Sequence, residues 1–340
     1  MTMKKFFFAF AAGLAVMASC NRQELLPQSV EKGTKAVLNV SISGASASKA
    51  ASFDEDKVDS LQVFVFNGNQ LDVYGNSNSS SLTLNATTGP RTVYALVNAP
   101  DLSDIYRMDE LKSSISRLSD NAPDKFVMVG SLDTVLAESS SISVDVNRLA
   151  ARIRLRKLTR NMSSEGLAAL DSSSFELVRI YAAEVITANS YDLMLPSSSS
   201  WKNSIFAGSS IDPTDELLVR LPSAPAGIAQ GSSYTEDLCV YVYPNPTAED
   251  GASAMCTRLV VECMIDGLYY TYPVLIPNVL PNRSYEINEL VLTRLGNQSD
   301  GDNDIDSGEH DKIESFSIPF GITVKDWTPV LLGNEGTVTI

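Results

Sequence analysis

Apolar and polar residues alternate with a period of two in separate short stretches of this chain. In Ala36-Val37-Leu38-Asn39-Val40-Ser41-Ile42-Ser43, the side chains of Leu38, Val40 and Ile42 share one face, and Asn39, Ser41 and Ser43 take the other. That pattern predicts a half-buried strand. Leu61-Gln62-Val63-Phe64-Val65-Phe66 predicts a second strand, closed by the turn Asn67-Gly68-Asn69. A Ser/Asn loop at 76–81 separates it from strands at Leu82-Thr83-Leu84 and 91–97. Further strands are expected at 126–130 and 142–146. Residues 148–155 predict another, with Leu149, Ala151, Ile153 and Leu155 on one face and Arg152 and Arg154 on the other. A helical pattern is clearest between Met108 and Leu118.

Residues 156–173 are polar and mark the best domain boundary. Beyond them strand character returns at 175–180, 238–243, 259–265, 268–272, 284–287, 290–292 and 320–324. Asp266-Gly267 between two of these runs is a strong hairpin signal. Many short strands punctuated by Gly, Pro and Asn predict a mostly β protein of sandwich type, with one or two short helices.

The first residues follow a different rule. Lys4 and Lys5 precede an apolar run from Phe6 to Ala18, and Met17-Ala18-Ser19 leads into Cys20. This is a secretory signal ending in a lipobox-like site. The run is shorter than the roughly 20 residues of a membrane-spanning helix. Residues 1–19 are therefore expected to be removed, leaving Cys20 as an N-terminal cysteine whose thiol can take a lipid. Residues 21–35 read as a polar tether.

Charge and composition narrow the function. The net charge is −15, and loss of Lys4 and Lys5 makes it −17. So acidic a surface repels phosphate backbones, and no nucleic-acid partner is expected. His310 is the single histidine, which argues against histidine-rich metal sites and against Ser-His or Cys-His catalysis. No phosphate-binding glycine loop follows a strand. The sequence gives no catalytic residue, no metal site and no cofactor. The acidic run Asp300–Asp306 resembles a calcium loop, but Ile305 stands where the turn glycine belongs and Asp311 where the glutamate belongs. It is expected to be a solvated loop. Besides Cys20 there are Cys239, Cys256 and Cys263. Cys239 and Cys263 lie in strand-like runs, where they are either bridged or buried as thiols.

Several blocks, taken in order, resemble the fimbrillins, the shaft-forming subunits of type V pili. They are the lipobox at Cys20, Val63-Phe64-Val65-Phe66-Asn67, Arg91-Thr92-Val93-Tyr94-Ala95-Leu96-Val97-Asn98-Ala99-Pro100, and Arg148-Leu149-Ala150-Ala151-Arg152-Ile153. Pro281-Asn282-Arg283-Ser284-Tyr285 and Ile322-Thr323-Val324-Lys325-Asp326-Trp327 complete the set. The resemblance implies two transthyretin-like Greek-key β-sandwich domains. It implies export as a lipoprotein, then cutting by an Arg/Lys-specific surface protease that removes the first strand. A donor strand from another subunit fills the groove, and the polymer is an extracellular adhesive fimbrium.

On this chain the removed strand carries Leu38, Val40 and Ile42. The processing site is expected at Lys49, with Lys57 as runner-up. The donor tail is 328–340, with Val330, Leu331, Leu332, Val338 and Ile340 as anchors. The expected organisation is signal 1–19, lipidated propeptide 20–49, N-terminal sandwich 50–157, C-terminal sandwich 158–327 and tail 328–340. Partners are other copies of the chain and related pilus subunits, the protease, the membrane before processing, and a surface ligand the sequence does not identify. Cutting at Lys49 would take the charge to −19, so assembly should favour salt that screens repulsion. The tail has the alternative of being a terminal strand of its own domain, and other expectations for the chain are a tip adhesin, an anchor of such a pilus, or a monomeric glycan-binding lipoprotein. The last needs an exposed aromatic platform, for which Trp201, Tyr269, Tyr270 and Tyr272 are the candidates.

Overall fold

The computed structural model describes residues 33–43, 54–162, 173–192, 200–207, 210–247, 255–305 and 308, and the backbone of Thr328–Leu331 and Thr337–Thr339. Cys20, Lys49, His310, Leu332, Ile340 and the strand expected at 320–324 lie outside the described residues.

The fold is mostly β, built of several sheets in two groups that follow one another along the chain. The first contains β1 (Lys35–Ser43), β2 (Leu61–Asn67), β3 (Gln70–Ser77), β4 (Ser81–Thr87) and β5 (Gly89–Val97). After α1 (Met108–Ser113) and β6 (Ile115–Arg117) come β7 (Met128–Leu136), β8 (Ser139–Asp145) and β9 (Asn147–Arg148). One layer has the order β4-β1-β8, the other β3-β2-β5-β7-β9. β2 is buried on both faces, so its residues do not alternate in exposure. On one face Phe64 and Phe66 meet Tyr74 and Tyr94. Leu111 of α1 belongs to the same core.

The structure departs from the sequence pattern in three places. β3 is a strand the alternation does not reveal, because most of its residues are only half-buried. It follows the hairpin turn at Gly68, whose φ of 58° suits glycine. The helix is shorter than its pattern, ending at Ser113. Ser113 and Ser114 turn their hydroxyls onto the Glu110 carbonyl, and Ile115–Arg117 pairs instead with the strand Ala188–Ser190. Finally, Arg152 and Arg154 do not face solvent.

The chain leaves the first set of sheets at Leu149-Ala150. β10 (Ala151–Leu155) lies between Leu238–Val242 and Arg283–Ile287, antiparallel to the former and parallel to the latter. All five of its residues are buried. β11 (Leu158–Arg160) lies between Ser233–Tyr234 and Glu289–Leu292. β12 (Phe175–Ala183) pairs with Arg258–Ile265, which pairs with Leu268–Leu275. The turn between those last two strands has positive φ at both Asp266 and Gly267, as a tight two-residue hairpin requires.

Cys239, Cys256 and Cys263 are buried thiols outside any disulfide. Burial pushes the Cys239 thiol up to about 12 and Cys263 well above its ordinary value. Burial likewise raises the Tyr285 phenol to about 12. These groups stay protonated in the fold while the unfolded chain starts to lose their protons near pH 8.5 for thiols and 10 for phenols. Their contribution to stability is therefore fully present below about pH 8.5 and lost as pH rises toward 12. The guanidinium unfolding midpoint should hold constant from neutral to mildly alkaline pH and then fall. A midpoint unchanged to pH 12 would contradict this.

Candidate functional site, a first strand held in a groove

β1 alternates because only one of its faces meets the core. Ala36, Leu38 and Val40 are buried, Ile42 packs against the same cluster, and Val37 is 44% exposed on the opposite face. The strand lies between two neighbours of opposite direction. It is antiparallel to β4, with Leu38 opposite Leu84 and Val40 opposite Leu82. It is parallel to β8, with Val40 opposite Ile142 and Ile42 opposite Val144. At about 3.3 Å per residue its nine residues span roughly 30 Å.

The solvent face is a ladder of small polar groups. Thr83 donates its hydroxyl to Asn39 Oδ1 at 2.7 Å, and Asn39 Nδ2 donates to Ser141 Oγ at 3.4 Å. Ser43 and Ser143 share a bond of 2.9 Å. The strand's ends are tied by Val37 N–H to the Glu138 carbonyl and Val146 N–H to the Ser43 carbonyl, both at 2.9 Å. Just before the strand, Gly33 passes so close to Thr88 that a Cβ would lie 2.2 Å from its carbonyl oxygen. Each fully buried aliphatic side chain of β1 contributes about 1.5–3 kcal/mol. Without β1, both β4 and β8 would show unpaired edges over an apolar slot, a template for another strand.

The tail pairs with its own chain. Thr328–Leu331, which includes Val330 and Leu331, runs parallel to Arg283–Ile287. Thr337–Thr339, which includes Val338, runs parallel to Glu289–Leu292. Both are short edge pairings, of four and three residues.

The remaining candidate residues do not gather into a binding site. Tyr272 is fully buried and donates its hydroxyl to the Arg294 carbonyl at 3.1 Å. Trp201, Tyr269 and Tyr270 are half-buried, so no exposed platform of these aromatics forms. In the acidic loop Asp300 and Asp302 accept bonds from backbone N–H groups two residues on. Arg179 ties that loop down through the Asp302 carbonyl and Asn303, each at 2.7 Å. Among the described residues, no group of three or more His, Cys, Asp or Glu is placed to hold a metal ion.

A buried ion cluster is the feature sequence reasoning missed. Arg152 donates to Glu55 Oε2 at 2.7 Å and lies 3.6 Å from Glu286. Tyr241 donates its hydroxyl to Glu55, Arg148 pairs with Asp56, and Arg154 pairs with Asp237. Arg156 Nε donates to Glu286 at 2.7 Å. The alternating arginines of β10 were the available signal, because a central strand does not expose them.

Residues 36–156 match the family described as major fimbrial subunit protein (FimA). Among curated proteins, no sequence matches the chain. Solved structures share its fold. A candidate cell adhesion protein from Bacteroides eggerthii is 17% identical, with a TM-score of 0.59 over 88% of this chain and 98% of its own. A fimbrilin (FimA) from Porphyromonas gingivalis is 14% identical, with a TM-score of 0.56 over 78% and 92%. A candidate cell adhesion protein from Parabacteroides distasonis is 17% identical, with a TM-score of 0.54 over 77% and 93%.

Proposed function

We propose that this chain, whose residues 36–156 match the major fimbrial subunit family, is a fimbrillin shaft subunit polymerised by strand exchange. The family is one of structural subunits, not of enzymes. The subunit is exported as a lipoprotein through Cys20 and held at the outer membrane. A Lys/Arg-specific protease then cuts behind β1, at Lys49. β1 leaves, and the tail of another copy enters between β4 and β8, giving an extracellular fimbrium that mediates adhesion. The sheets formed before Leu149-Ala150 carry the groove, and those beyond carry the tail.

The observation that carries this reading is β1 itself: one strand, buried on one face, hydrogen-bonded along both edges. The two tail strands support it, because each sits at the edge of its sheet, where release costs one ladder and not two. Contact between the tail of one copy and the groove of the next does not close on itself, so it yields filaments. A shaft is favoured over a tip because the chain has both a strand to lose and a tail to give.

The test uses purified full chain with Cys20 replaced, treated with a lysine-specific protease under native conditions. The expected result is a new N-terminus behind β1 and a ladder of oligomers on electrophoresis. Deleting residues 328–340 should abolish the ladder while leaving the cut. A cut protein that stays monomeric at high concentration and in salt would sink the strand-exchange reading.

A further inference from the structure

Lys57 has the exposure of a protease target but not the backbone of one. Its side chain is 50% exposed and pairs with Asp59 at 3.0 Å. Its carbonyl, on the bond a lysine-specific protease would cut, accepts Asn98 Nδ2 at 2.8 Å. Its N–H donates to the Asp54 carbonyl at 3.2 Å. On the far side, Asp59 N–H and Ser60 N–H donate to Asn98 Oδ1 at 2.8 and 3.2 Å. The Ser60 carbonyl takes the Asn98 N–H at 2.9 Å. Asn98 is 1% exposed, and its φ of 55° aims the side chain into this turn.

The near side is held as firmly. Asp54 N–H donates to Asp124 at 2.9 Å. The Glu55 carbonyl accepts Arg148 Nε at 3.1 Å, while its carboxylate meets Arg152 and Tyr241. Asp56 pairs with Arg148. A protease reads its substrate as an extended segment, and here that segment exists only after these bonds open. A cut after Lys57 would also separate Glu55 and Asp56 from the subunit, removing two carboxylates that pair with the buried Arg148 and Arg152. Losing one partner of a buried pair is far costlier than never having built it.

We propose that Asp54–Ser60 is a pinned anchor, retained in the mature subunit, that withholds Lys57 from the processing protease. This rests on the strand-removal reading above. Between the end of β1 and this anchor, Lys49 is the one basic residue in the sequence, so the anchor leaves a single place for the cut.

The test maps N-termini by mass after native digestion of the full chain with a lysine-specific protease. Cleavage after Lys57 should be at least about 100-fold slower than after Lys49, because proteolysis follows the population of the opened segment. Lys49→Gln should leave β1 attached, and Lys57→Gln should change nothing. Asn98→Gly keeps the left-handed backbone but removes the side chain, and should produce a second fragment beginning at Val58. Should that variant fail to fold, Asp56→Asn provides the same test from the other side. A wild-type cut after Lys57, or a Lys49→Gln chain cut there at the wild-type rate, would overturn the proposal, as would an intact Lys57 bond in a folded Asn98→Gly. Filaments are scored on the same samples. A cut at Lys49 without filaments would fail the strand-exchange reading alone. Filaments following a cut at Lys57 would fail the anchor alone.

Discussion

Leu38→Ala in β1 is expected to weaken the hold of the groove on its first strand by about 2–5 kcal/mol, the range for truncating a fully buried leucine. Leu38 is completely buried and stands opposite Leu84 in the ladder. In the uncut chain the strand is tethered, so the loss appears as a lower urea midpoint. Once the chain is cut, the same loss acts on a separate fragment. At 1.4 kcal/mol per tenfold, the fragment should leave at least about 10-fold faster, and oligomer ladders should appear sooner by a similar factor. Asn39→Ala, on the solvent face, is the control and should alter neither rate by more than a few fold. Equal ladder kinetics for Leu38→Ala and wild type would mean that departure of β1 does not limit assembly.

Arg152→Met should lower stability by about 3–5 kcal/mol, the cost of breaking a buried pair from one side. Arg152 is fully buried, as are Glu55 and Glu286. Glu55 would keep only its Tyr241 bond among those described above, and Glu286 would keep Arg154 and Arg156. Adding Glu55→Gln to Arg152→Met should recover part of the loss, because the orphaned charge disappears. Denaturant unfolding of the two single variants and the double variant measures that coupling. Additive single losses would mean that the two residues act independently, contrary to a direct pair at 2.7 Å.

The strands that face water on one side were legible in the sequence. β1 shows its pattern because Asn39, Ser41 and Ser43 meet solvent while Leu38 and Val40 do not. β10 misleads for the opposite reason. It is covered on both faces, so its arginines read as an exposed row when they are the positive half of a buried cluster. The negative half was harder still, since Asp54-Glu55-Asp56-Lys57 looks like a solvated run of charge. Nothing local distinguishes Glu55, which is buried by Arg152 and Tyr241 from distant parts of the chain. Asn98 lay within a block that resembled the family. Its task, bonding both sides of the 57–60 turn, depends on a left-handed backbone that sequence does not display. The tail's own-chain pairings join Thr328 and Thr337 to neighbours some 45 residues earlier, a separation that alternation cannot read.

The opposed directions of β4 and β8 have a consequence for recognition. A strand between them makes one antiparallel and one parallel ladder. Turned end for end, it would still make one of each. Main-chain hydrogen bonding therefore cannot tell a forward guest from a reversed one, nor the chain's own segment from a foreign one. Discrimination falls to the row of sockets occupied here by Ala36, Leu38, Val40 and Ile42, whose sequence of small then large is not the same read backwards. The size order of those four side chains would then give a fibre its polarity.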